Sequence, residues 1–172
     1  MARVLVLSNG FFVMEKQQLT IRYTTYEHIS ELPEEVQTLM AEAVKARENA
    51  YAVYSNFKVG AAVRLENGAI CIGSNQENAA YPSGLCAERV AIYQASTQFP
   101  NETIQAIAIS GTAKAPTDQP VSPCGACRQS LSEYEIRQKK AIPVYFMGAC
   151  GKIIQTDSIK DLLPFLFDGS LL

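Results

Sequence analysis

The chain has 172 residues, 48% of them hydrophobic, which is enough to bury the core of one globular domain and too little for two full ones. Its 15 basic and 17 acidic residues leave a net charge of −2, so it lacks the basic footprint of a nucleic-acid binder. Small neutral molecules suit that balance better than polyanions.

The N-terminal stretch "MARVLVLSNGFFVM" is apolar at first, but Ser8-Asn9-Gly10 interrupts it and no small-residue cleavage site follows, so it does not read as a secretory signal. Either residues 1–13 add an edge strand or they form a leader, with Met14 a natural start. No apolar run approaches the roughly 20 residues of a membrane span. The expectation is a soluble, cytoplasmic protein with no membrane partner.

In "SELPEEVQTLMAEAVKARENAY" the residues Val36, Leu39, Met40, Ala43 and Val44 recur at helical spacing, and Pro33, Glu34 and Glu35 suit a first turn. Phe57, Val59, Ala61, Val63 and Leu65 then alternate, the chain turns at Asn67-Gly68, and it returns through Ile70 and Ile72, which predicts a hairpin. A helix containing "CAER" comes next, then "IQAIAIS" as a strand, a polar loop over 111–123, and a helix opened by "SPCGACRQSLSEY". The strands "PVYFM" and "IIQT", joined by the turn "GACGK", lead to "SIKDLLPFLF", a short helix interrupted near Pro164. The order α-β-β-α-β-α-β-β-α predicts an α/β three-layer sandwich with a mixed five-stranded sheet between helices. We divide the chain into an N-terminal extension, 1–30, and a domain, 31–172.

Five cysteines, two of them in a C-x-x-C pair, point to metal or redox chemistry in a reducing compartment rather than a disulfide frame. With Ser122 as N-cap and Pro123 in the first turn, Cys124 and Cys127 fall three apart on one helix face, while Cys86 stands at the start of the earlier helix. Partial positive charge at helix N-termini favours thiolates, and thiolates bind zinc. Three protein ligands leave one position of a tetrahedral site open for water, the mark of a catalytic zinc. His28, Cys71 and Cys150 have no ligand-like spacing to the pair and read as packing or surface residues.

Glu88 lies two residues past Cys86, about 200° around a helix, so it overhangs the open position instead of ligating. There a carboxylate can carry protons. Three thiolates on Zn²⁺ carry a net charge of about −1, and Arg89, with Arg128, is placed to donate hydrogen bonds to sulfur and offset it. Cys-x-Glu followed by Pro-Cys-x-x-Cys is the pattern of zinc deaminases.

From Glu34 to Phe167 the chain resembles the small homotetrameric cytidine deaminases, through "AYAVYSNFKVGAAV", "GSNQENAAYPSGLCAERVA", "SPCGACRQ" and "DLLPFLF". The resemblance implies that Cys86, Cys124 and Cys127 bind one zinc per subunit, that Glu88 shuttles protons and that Arg89 hydrogen-bonds the thiolates. It implies that Asn75 and Glu77 hold the ribose, although a loop cap at the strand end is the plainer role for such residues. Phe57, which alternation alone would put in the core, matches a ring beside the pyrimidine. Ala79 and Tyr81 match positions that reach the ribose 5′ end in a neighbouring subunit, and Phe167 one that stacks on a neighbour's base. The implied reaction is hydrolytic deamination of cytidine or 2′-deoxycytidine in a homotetramer with shared active sites. Two departures stand out: a longer N-terminal segment, and a chain that ends soon after "LLPFLF", leaving less to cover the site. A deaminase of another amine, a noncatalytic zinc module and a dithiol redox protein are the rival readings.

Overall fold

The computed structural model describes residues 16–171, so the alternatives for residues 1–13 lie outside the described residues. Among the described residues six strands form one sheet: β1 (Thr24–Tyr26), β2 (Lys58–Leu65), β3 (Ile70–Ser74), β4 (Ile104–Thr112), β5 (Val144–Met147) and β6 (Ile153–Thr156). Their order is β1-β6-β5-β4-β2-β3, with β4 and β5 parallel and the other pairs antiparallel. Helix α1 (Glu34–Glu48) covers one face; α2 (Ala87–Gln98), α3 (Gly125–Gln138) and the short α4 (Ile159–Leu162) cover the other. Among the described residues no helix is long and apolar enough to cross a membrane.

The three-layer mixed sheet is as expected, but it has six strands instead of five. The added strand, β1, pairs Thr24, Thr25 and Tyr26 with Gln155, Ile154 and Ile153, and the Tyr26 hydroxyl donates to Gln155 Oε1 at 2.7 Å. Three residues, two of them exposed, are too few to display a period of two.

Central strands are buried on both faces. Ala61, Val63 and Leu65 of β2 and Ile107 and Ile109 of β4 face α2 and α3, while Ala62, Ala106 and Ala108 face Val36, Leu39, Met40 and Ala43 of α1. Each fully buried Ile or Leu stabilises the fold by about 1.5–3 kcal/mol. Small residues bring both helical layers close. A Cβ on Gly60 would fall on the backbone of Ala43 and Arg47 in α1, and one on Gly73 would fall on the backbone of Ala87 and Ala91 in α2. The second contact seats the first turn of α2 against β3 and so fixes where Cys86 stands.

Candidate metal centre and active site

Helix α2 starts with Cys86 as N-cap and α3 with Cys124 as N-cap, so Cys127 is the third residue of α3. The expected cap, Ser122, lies outside the helix. Cys124 has the extended conformation of a half-in residue (φ −68°, ψ 167°), and its sulfur makes no capping bond. Its side chain is instead turned toward the other thiols.

The Sγ atoms of Cys86 and Cys124 are 3.8 Å apart, those of Cys124 and Cys127 3.5 Å, and all three lie within 4.8 Å of one another. Zn–S bonds of about 2.3 Å in a tetrahedron place sulfurs about 3.8 Å apart, so the donor set fits zinc in both chemistry and spacing. No other His, Cys, Asp or Glu trio among the described residues is gathered in this way. Cys71 is buried in the core and Cys150 is exposed, as expected of bystanders.

Arg89 reaches back within one turn, its Nη2 3.8 Å from Cys86 Sγ and 3.4 Å from the Gly84 carbonyl. Hydrogen bonding with Cys127, and then the Arg89 guanidinium, hold the Cys86 thiol well below the ordinary thiol range, while its proton-sharing partner Cys127 is pushed up. Arg128 does not face the sulfurs as expected. Its Nε donates to the Pro123 carbonyl (2.8 Å), Nη1 to the Leu162 carbonyl (2.8 Å) and Nη2 to Ser122 Oγ (3.2 Å), so it meets the metal centre only through the turn before Cys124.

Glu88 is 4% exposed, and burial, more than the charge of Cys86, pushes its carboxyl above the usual carboxylate range. It lines a cavity of about 620 Å³ with Cys86, Cys124 and Arg89. Across the cavity stand Phe57, Asn75, Glu77 and Tyr81. Asn75 ties the strand ends together: its Oδ1 accepts from the Val59 amide (2.8 Å) and its Nδ2 donates to the Phe57 carbonyl (2.9 Å). Each end of the amide keeps a further hydrogen-bonding direction. Glu77 accepts from the amides of Tyr54 (2.8 Å) and Ser55 (3.3 Å) and from the Ser55 hydroxyl. Those bonds, the hydroxyl first, hold its carboxyl below the usual range. Tyr81, 75% exposed, stands at the mouth of this chain's own cavity, its ring 6.0 Å from that of Tyr54. Ala79 and Phe167 are exposed and outside this cavity.

Sequence reasoning missed Tyr54, Ser55, Gln76, Leu85 and Val121, which also line the cavity. The Ser-Asn pair was the available signal for Ser55, since Asn56 takes the left-handed conformation (φ 55°) of a tight turn. Gln76 acts through its backbone. Its amide donates to the Leu85 carbonyl (2.8 Å) and its carbonyl accepts from the Leu85 amide in return (3.0 Å), while the adjacent Glu77 amide donates to the Tyr51 carbonyl (2.9 Å). The loop wall is thereby linked to the segment that ends at Cys86.

Residues 33–142 match the family model of the cytidine and deoxycytidylate deaminase zinc-binding region. A cytidine deaminase of Sporosarcina psychrophila is 43% identical over 133 residues, 77% of this chain and 91% of that protein. One from Halalkalibacterium halodurans is 40% identical over 131 residues, covering 76% and 92%. The crystal structure of cytidine deaminase from Burkholderia pseudomallei superposes with a TM-score of 0.67 at 42% identity, over 76% of this chain and 97% of that one. With a trio of thiols and the enclosed Glu88 at its helix starts, the chain belongs to the cytidine and deoxycytidylate deaminase family, as a zinc-binding enzyme of the cytidine deaminase type.

Proposed function

We propose that the chain converts cytidine and 2′-deoxycytidine to uridine and 2′-deoxyuridine with release of ammonia, a reaction of pyrimidine salvage. The observation that carries this reading is the juxtaposition, across one cavity, of a three-thiol metal site and Glu88 with the sugar-sized polar pair Asn75 and Glu77. Cys86, Cys124 and Cys127 would hold zinc, which when bound would supply an acidified water as the nucleophile. Glu88 would take a proton from the attacking water, pass it to N3 of the pyrimidine, and then carry the proton of the hydroxyl added at C4 to the departing amine. Arg89 offsets thiolate charge from its place beside Cys86, and Arg128 steadies the turn before Cys124. Phe57 flanks the base, and Asn75 and Glu77 use their remaining acceptor and donor directions on the ribose hydroxyls.

Free nucleosides are favoured over nucleotides. Arg89 is the one cation lining the cavity among the described residues, and it already serves Cys86 and the Gly84 carbonyl; a phosphate would meet the ionised Glu77 instead. Residues 31–172 act as the deaminase domain and 1–30 as an extension, in a cytoplasmic homotetramer. Ala79, Tyr81 and Phe167 contribute to a neighbour's site there, a reading supported by the exposure of all three.

The test is ultraviolet monitoring of cytidine, 2′-deoxycytidine and deoxycytidylate consumption by wild type and Glu88→Gln, with zinc measured in both. Both nucleosides should be consumed, deoxycytidylate far more slowly, and the variant should keep its zinc while losing about 10²–10⁴ in kcat. Comparable turnover by Glu88→Gln would overturn the assignment.

A further inference from the structure

Arg128 joins the turn just before it to a segment 34 residues after it in sequence. On one side it holds the turn that delivers Cys124, through the Pro123 carbonyl and Ser122 Oγ; on the other it holds Leu162, the last residue of α4. Its own amide donates to the Cys124 carbonyl at 2.9 Å, and its neighbour on α3 is the ligand Cys127. Two more side chains of α3 hold the same C-terminal segment. The buried Glu135 accepts from the Ile159 amide (2.9 Å) and Ser158 Oγ (2.6 Å) at the start of α4, and Gln129 Nε2 donates to the Phe167 carbonyl (2.8 Å). Past α4 the aromatic side chains stand outward: Phe165 is 96% exposed in a left-handed conformation (φ 57°), and Phe167 is 58% exposed.

We propose that Arg128 is a positioning residue that couples zinc binding at Cys124 and Cys127 to the docking of the C-terminal segment, residues 158–170, on α3. The coupling rests on the zinc reading of the site. A guanidinium is a rigid planar fork whose donors move together, so a shift of the Ser122–Pro123 turn that reorients Nε and Nη2 also reorients Nη1 away from Leu162. Ordering the turn with metal therefore orders the segment. By linkage, the docked segment strengthens zinc binding by the same factor. An outer-shell partner of a metal ligand is worth about 10–100-fold in metal affinity, and the lower end suits a residue acting through a turn.

Zinc content of the full chain is measured first; a wild type that takes up no zinc overturns the metal assignment and this proposal with it. Amide hydrogen exchange is then followed in wild type and Arg128→Lys, with and without zinc, alongside zinc affinity by competition with a chromophoric chelator. In wild type, zinc should slow exchange over 158–170 by about tenfold and leave β1, at the sheet's edge, much less affected. Arg128→Lys keeps the charge but loses the fork, and should bind zinc about tenfold more weakly, with exchange over 158–170 no longer responding to zinc. Equal slowing of β1 and 158–170 in wild type would reveal general stabilisation and overturn the coupling, whether or not the variant folds. Wild-type zinc affinity and protection in Arg128→Lys would overturn it equally.

Discussion

The two walls of the cavity are built differently. The metal wall comes from the first turns of two helices, with Cys127 and Glu88 buried against the core. The opposite wall comes from connections around 51–57 and 75–81, largely exposed and held by Asn75 and Glu77 bonding to neighbouring backbone. Bond-making groups must stand within tenths of an ångström of a productive arrangement, which a packed helix start provides; recognition tolerates a surface that adjusts. The contrast implies that changes on the metal wall act on kcat and zinc, and changes on the loop wall act on KM.

The largest expected effects lie on the metal wall. Cys124→Ala removes one of three ligands and should reduce deaminase activity to background, with zinc no longer retained through dialysis against a mild chelator. Glu88→Gln should leave zinc in place and lower kcat by about 10²–10⁴ with KM little changed. If instead KM rose and kcat held, Glu88 would belong to recognition and the division between the walls would fail.

A pair of glycines sharpens the comparison at the level of packing. Alanine at Gly60 or Gly73 drives a Cβ into helix backbone, α1 in one case and α2 in the other, and backbone does not rotate away. Each should cost about 1–3 kcal/mol or more, roughly 2–4 °C in Tm per kcal/mol for a chain of this size. Only Gly73→Ala displaces the helix that starts at Cys86 and carries Glu88. It should therefore weaken zinc binding and kcat as well, while Gly60→Ala lowers Tm alone. Equal zinc affinities in the two variants would show that the metal wall is less rigidly seated than its packing implies.

How much of the molecule was legible in the sequence also divides along the two walls. The trio of thiols and Glu88 could be read because helix period and C-x-x-C spacing are local, and local spacing fixes which side chains share a helix start. Even there the helix starts two residues later than the spacing predicts: Ser122 resembles a cap, but only the turn's conformation decides which residue is half in the helix. The direction of Arg128 was not legible, because its acceptor on Leu162 is supplied by a distant element. Glu135 reads as one more polar residue of "SEYEIRQ", and only the packing of α4 makes it a buried anchor. On the loop wall, alternation assigned Phe57 to the core; it lines the cavity, and family resemblance alone put it there. The strand β1 left no mark because its pairing partner lies more than 120 residues away, as the Tyr26–Gln155 bond (129 residues apart) illustrates.

The smaller effects lie on the loop wall. Glu77→Gln replaces a charged acceptor of three hydrogen bonds, and should raise KM for cytidine by about tenfold with kcat within a factor of a few. The smallest prediction concerns pH. Glu77 is ionised in its brace, and because its carboxyl is held below the usual range, chiefly by the Ser55 hydroxyl, the brace persists above the ordinary carboxylate pKa and is lost only as pH falls through the lowered value. Ser55→Ala removes the largest cause, so the value returns toward the ordinary one and the brace loosens at a higher pH. Measured as 1/KM from neutral pH into acid at saturating zinc, the acid limb of Ser55→Ala should lie to the alkaline side of wild type. The kcat profile, governed by the metal wall, should stay where it was; a shift of both profiles together would mean that the walls titrate as one unit and that their separation is only architectural.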